Sequence, residues 1–166
     1  MSAYINPAPG TTSQVVLKLD CGIALGTLTL GGSPLTVPAL QDITVNAAND
    51  VFTWTQLDAT AKKQVATTST NSVAMNIVCD DASFFGTTLN SVQSDTVAAQ
   101  GILGLSRNKT LVTFSLKMLE NGAADRYLKG QGYITGVAPK ISADQPVWVS
   151  PVTITVTGEY TVSATE

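Results

Sequence analysis

Residues 127–160, YLKGQGYITGVAPKISADQPVWVSPVTITVTGEY, read together with residues 51–65, VFTWTQLDATAKKQV, decide the fold. The late stretch opens as a glycine-spaced strand, crosses a polar, proline-bearing turn region and ends in strict Val/Ile/Thr alternation. A period of two marks a strand with one buried face, which points Val152, Ile154 and Val156 inward and Thr153, Thr155 and Thr157 outward. The earlier stretch sets Phe52 and Trp54 against Val51, Thr53 and Thr55 and then empties into a segment rich in Thr, Ala and Lys.

Working outward, further strands are expected at Val15–Asp20, Ile23–Leu30, Asp42–Val45, Asp50–Leu57, Val73–Cys79, Thr110–Leu119 and Tyr127–Val137. Gly31-Gly32 is a turn signal, and Pro34 and Pro38 discourage regular pairing before Asp42. Asn121-Gly122 reads as a turn between the strands on either side. The one helical pattern places Leu89, Val92, Thr96, Ala99 and Leu103 on a face, with Ser91 and Ser94 near its start and Gly101 and Gly104 at its close. Residues 58–72 carry no period and no Gly or Pro for a tight hairpin, so they read as a long polar loop, a feature that is usually functional or mobile. Several short strands with a single helix predict a mainly β fold, a β-sandwich or partly open barrel with one flanking helix. The organisation expected is an extended arm over 1–13, in which Tyr4 and Ile5 offer docking groups, a β domain over 14–161 and a C-terminal tail over 162–166.

A chain of 166 residues fits one domain with a core of its own. Charged residues make up 13% of it, about half the share usual in soluble domains, so much of its surface suits burial against other subunits. Histidine is absent, which removes the commonest general base and metal ligand. Cys21 and Cys79 lie too far apart for a CxxC motif. Asp80-Asp81 reads as a solvated turn, since adjacent carboxylates at a strand end point apart. Gly130-Gln131-Gly132 is followed by a strand, so it is no phosphate loop. Its glycines let an aromatic ring or a second backbone approach closely. The nine basic residues cluster only at Lys62-Lys63 and Arg107–Lys109, too few for sequence-specific nucleic-acid binding. Neither a secretory signal nor a membrane-spanning apolar run is present, which leads to an expectation of cytoplasmic assembly. No catalytic constellation, metal site or cofactor is expected.

The order of these pieces resembles the major tail tube proteins of long-tailed (siphovirus-type) bacteriophages, across about Val15 to Tyr160. The matching segments are FTWTQLDATAKKQ (52–64) before the long loop, VAMNIVCD (73–80), the helix after it, TLVTFSLK (110–117), GQGYITGV (130–137) and VTITVTGEYT (152–161). Gly86–Asn108 departs from the pattern, being longer and richer in Ser and Thr than a compact helix region. The resemblance implies a hexameric ring whose inner sheets join into one continuous β-barrel. It implies stacking of rings into a hollow, non-contractile virion tail through which the genome is delivered. The segment at 58–72, with Asp58, Lys62, Lys63 and Gln64, corresponds to the loop that reaches a neighbouring ring. Asp42, Asp80 and Glu159 are candidate lumen-facing acids, because a conduit for a polyanion is best neutral or acidic. Implied partners are further copies of the chain, tape-measure protein, tail-tip or initiator and terminator proteins, and genomic DNA passing without sequence-specific contact. Assembly in the host bacterial cytoplasm is implied as well. Alternatives of the same fold are a tail terminator or a ring protein of an injection system. A monomeric Ig-like binding module is the alternative of another class, and it predicts an exposed aromatic platform at Trp54 or Trp148.

Overall fold

A computed structural model describes residues 15–57, 60–118 and 125–166, apart from the side chain of Gln145. Its strands are β1 (Val15–Cys21), β2 (Leu35–Thr36), β3 (Leu40–Trp54), β4 (Lys63–Val78), β5 (Leu111–Met118), β6 (Arg126–Val137), β7 (Lys140–Ser142), β8 (Gln145–Val156) and β9 (Thr161–Ser163). A five-residue π-helical turn, Asp81–Phe85, and the helix α1, Val97–Arg107, lie between β4 and β5. All described pairings are antiparallel and join one sheet in the order β2-β1-β5-β6-β8-β4-β3, with β7 on β8 and β9 on β6. The expected mainly β fold with a flanking helix is therefore present, built as a single sheet that does not close.

Alternation fixes which face packs. Val73, Met75 and Ile77 of β4, Val112, Phe114 and Leu116 of β5, and Val152, Ile154 and Val156 of β8 are buried in one cluster with Leu17 and Leu19 of β1. Tyr160 closes the core against Phe114, edge to face at 6.4 Å. Its hydroxyl lies 2.8 Å from the carbonyl oxygens of both Asn46 and Ser72, which share its one proton, and this ties the root of the β3–β4 pair to the body. The glycines of β6 act as close-approach positions. A Cβ on Gly130 would meet the Phe114 ring at 2.7 Å, and one on Gly132 would meet the Thr155 carbonyl oxygen at 2.2 Å.

Four expectations change. Ile23–Leu30 is not a strand: Gly22 and Gly26 have positive φ, and Gln131 replaces the ladder. The Gln131 amide donates to the Ala24 and Thr27 carbonyls and accepts from Gly26 N at 2.6 Å. The helix begins later and buries another face. Thr96 caps it, accepting from Ala99 N at 3.3 Å, and Val97, Gln100, Ile102 and Leu105 are buried while Leu89, Val92 and Leu103 are exposed. Gly101, at φ 63°, breaks the period, and its backbone meets that of Gly86 so closely that a side chain on either would collide. The 162–166 tail is partly strand, β9, and Glu166 pairs with Lys18 at 2.7 Å. The fourth difference, at 58–72, shapes the candidate site. The arm 1–13 with Tyr4 and Ile5, and the Asn121-Gly122 turn, lie outside the described residues.

Candidate assembly surfaces

The segment expected as a loop over 58–72 is mostly strand. β4 begins at Lys63 and pairs with β3 from Trp54↔Lys63 to Leu40↔Ile77, so Asp42–Val45 and Asp50–Trp54 belong to one strand, which ends before Thr55. Thr67, Thr68 and Thr70 favour an extended backbone through β-branching, without an apolar period. Cross-strand polar pairs then fix the register: Ser69–Asn49 at 3.0 Å, Thr68–Asp50 at 2.9 Å and Asn46–Ser72 at 3.3 Å. A bulge lies between Asn49 and Val51. The Asp50 carbonyl there accepts from the Thr67 hydroxyl at 3.2 Å.

From Thr44 to Thr53 on β3 and from Lys63 to Thr70 on β4, every residue is exposed. The result is a two-stranded ribbon wet on both faces, an arrangement of marginal stability alone. It also carries apolar groups. Phe52 stacks on Trp54, centroids 5.8 Å apart, and faces Val65 across the pair; Phe52 is 59% exposed and Val65 48%. Leu57 at the tip is fully exposed. Lys62 is exposed at the tip, Lys63 donates to Gln56 at 2.5 Å, and Gln64 faces Thr53. Asp58 lies outside the described residues. The outer edge of β3 has no strand partner among the described residues.

The sheet face opposite the core is small and polar where β3, β4 and β8 meet. Thr44, Ala74 and Thr153 form one row and Asn46, Ser72 and Thr155 another. Asp42 sits on this face, accepting both bonds from the Asn76 amide at 3.0 and 2.8 Å. Asp80 lies just past β4, where it caps the π-helical turn by accepting from Ser83 N and Oγ at 3.1 and 3.0 Å. Glu159 is exposed in the turn between β8 and β9. Asp42 and Asp80 thus share one end of β4. Glu159 follows the end of β8, whose Val156 pairs with Asn71 at the middle of β4.

A second surface was touched by sequence reasoning only at Trp148, as the aromatic platform of the binding-module alternative. At the end of β4 an open apolar pocket of about 330 Å³ is lined by Cys79, Asp81, Phe84, Phe85, Pro139 and Trp148. Cys79 N donates to the Trp148 carbonyl at 2.8 Å, which fixes the two walls together. Phe84 is buried and holds Phe85 edge-on at 5.1 Å, and Phe85 and Trp148 stay half exposed. The available signal was Trp148 itself, an aromatic beside two prolines where a core position is not secured. Cys21 and Cys79 are both free thiols. Burial pushes each thiol above its ordinary range, and for Cys21 the Asp20 charge adds to this. Among the described residues there is no cluster of three potential metal ligands, and no helix is long and apolar enough to cross a membrane.

No protein-family model and no curated protein matches the chain. Solved structures do. The SPP1 tail tube aligns with a TM-score of 0.61 at 14% identity, over 93% of this chain and 79% of that one. The tail of an empty gene transfer agent particle, a helical assembly of C6 symmetry, aligns at 0.61 and 11% identity over 93% of this chain and 98% of that one. The anti-feeding prophage baseplate aligns at 0.62 and 8% identity, over 95% of this chain and 97% of that one. The chain therefore has the fold found in these tail assemblies.

Proposed function

We propose that this chain is a major tail tube subunit. Six copies form a ring by continuing the sheet from copy to copy into a closed inner barrel, and rings stack into a hollow, non-contractile tube that delivers the genome. The observation that carries this reading is the open sheet, whose long β3 edge has no strand partner among the described residues, and its wet β3–β4 ribbon, in a fold shared with tail tubes. An exposed edge of that length is a template for another strand, and ring closure satisfies it. A second, head-to-tail contact turns rings into a filament. In this reading the ribbon tip, with Lys62, Lys63 and Gln64, makes the inter-ring contact, in which Asp58 takes part. The Thr/Ser/Asn face with Asp42 lines the lumen, and Asp80 and Glu159 add negative potential near it. A net charge of -3 supports passage of a polyanion without adhesion. Tyr4 and Ile5 of the arm dock on a neighbouring subunit. The remaining partners are tape-measure, tail-tip and terminator proteins, and assembly takes place in the host bacterial cytoplasm.

The likeness to a baseplate favours one second reading, a ring protein of an injection apparatus that stops at single rings or short stacks. Negative-stain electron microscopy of the purified chain over a range of concentrations separates the two. Hollow tubes of indefinite length support the tail tube, and single rings support the alternative. Monomers that fail to elongate even with tail-tip complex overturn both, leaving a binding module built on the exposed Trp148.

A further inference from the structure

Two apolar surfaces that are uncovered among the described residues lie at opposite ends of one strand. The stacked Phe52–Trp54 pair and Val65 mark the start of β4, and the Phe85/Trp148 pocket marks its end. A surface and its complement at opposite ends of one strand build a head-to-tail contact, which repeats without closing on itself. Charge agrees with this direction. Lys62 and Lys63 flank the first surface, whereas Asp81 lines the second and is exposed without a described ion-pair partner. Both surfaces have the half-exposed aromatic anchors that dominate protein interfaces.

We infer that the pocket of Cys79, Asp81, Phe85, Pro139 and Trp148 is the acceptor for the β3–β4 ribbon of a second copy. Phe52 and Val65 enter between Phe85 and Trp148, and Lys62 or Lys63 meets Asp81. The inference rests on the reading that the chain polymerises, and it adds the residues of the acceptor. It also fixes a length: the translation per copy follows the chain from Val65 along β4 to Cys79 just past its end, about 45 Å at 3.3 Å per residue.

The test uses the full chain and measures the critical concentration for tube formation by sedimentation and microscopy, with melting temperature as the folding control. Phe85→Ser with Trp148→Ser alters only half-exposed side chains. It should leave melting nearly unchanged and raise the critical concentration at least about tenfold, as should Phe52→Ser with Val65→Ser. Asp81→Lys and the pair Lys62→Glu/Lys63→Glu should each raise it about threefold to tenfold, and the combined swap should return it to near the native value. A purely structural role for Asp81 would not give that rescue. Native assembly by the folded pocket variant, with the ribbon variant defective, overturns the acceptor while the tail tube reading stands. Charge variants that weaken assembly without rescue overturn it too. Ribbon and pocket variants that both assemble normally take the axial role of the ribbon down with it.

Discussion

Three glycines of β6 meet different neighbours and should respond differently to the same substitution. Alanine at Gly136 finds only the Thr153 side chain at 3.4 Å, an ordinary contact. Replacing glycine inside a strand then restricts the unfolded chain, so Gly136→Ala should be neutral or stabilising by about 0.5–1 kcal/mol. At Gly130 the obstacle is the Phe114 ring at 2.7 Å, which gives way only by disturbing its packing with Tyr160. A cost of about 1–2 kcal/mol is expected there. At Gly132 the Cβ would lie 2.2 Å from the Thr155 carbonyl oxygen and 2.9 Å from Val156 Cα, both backbone. Relief demands that β6 and β8 separate by roughly 1 Å at a paired position, at the upper end of overpacking costs, about 3 kcal/mol. Urea unfolding with m near 2 kcal/mol/M turns these values into midpoint shifts of about +0.3, −0.7 and −1.5 M. Equal midpoints for Gly132→Ala and Gly136→Ala would refute the close approach of β6 to β8, and with it the packing that sets β8 against β4.

Tyr160→Phe leaves the Asn46 and Ser72 carbonyls without their shared donor, so it should cost about 1–2 kcal/mol and quicken amide exchange at the root of the ribbon. Gln131→Ala removes the partners of Ala24, Gly26 and Thr27, and limited proteolysis should then cut first within 23–30. Stability should fall on the alkaline side. Burial raises Tyr160, Cys21 and Cys79 above 10.0, 9.0 and 9.0, and the hydrogen bond to Asp125 raises Lys117 above 10.5. Each group's contribution is whole below its unfolded value and is lost as pH rises through the folded one, so thermal melts should decline from about pH 9 upward and be flat between 7 and 8 with respect to these groups. The same shift makes Cys79 slow toward thiol reagents at neutral pH, with a rate that rises steeply above pH 9, readable by mass spectrometry.

The strands that face the core were legible because burial imposes a period. Val152, Ile154 and Val156 are buried as their alternation requires, and the glycines at 130 and 132 admit a ring and a backbone as their spacing implied. The ribbon was not legible. Residues 63–70 form strand through cross-strand pairing while both faces stay in water, so no hydrophobic period is written into them and Thr, Ser and Gln read as loop. The helix was misphased because Gly101 resets the backbone inside it and the segment before Thr96 folds back through the Asp95 carboxylate, which accepts from Val92 N at 2.7 Å.

The sequence alone determined the class of fold, because alternation is a property of the string of residues. It also determined that much of the surface would be uncharged. Only the tertiary structure decided where the exposed apolar groups gather: a ribbon at one end of β4 and a pocket at the other. Pairing Trp54 with Lys63, and Cys79 with the backbone of Trp148, joins residues whose proximity depends on register and chain reversal, and neither is encoded by any local pattern.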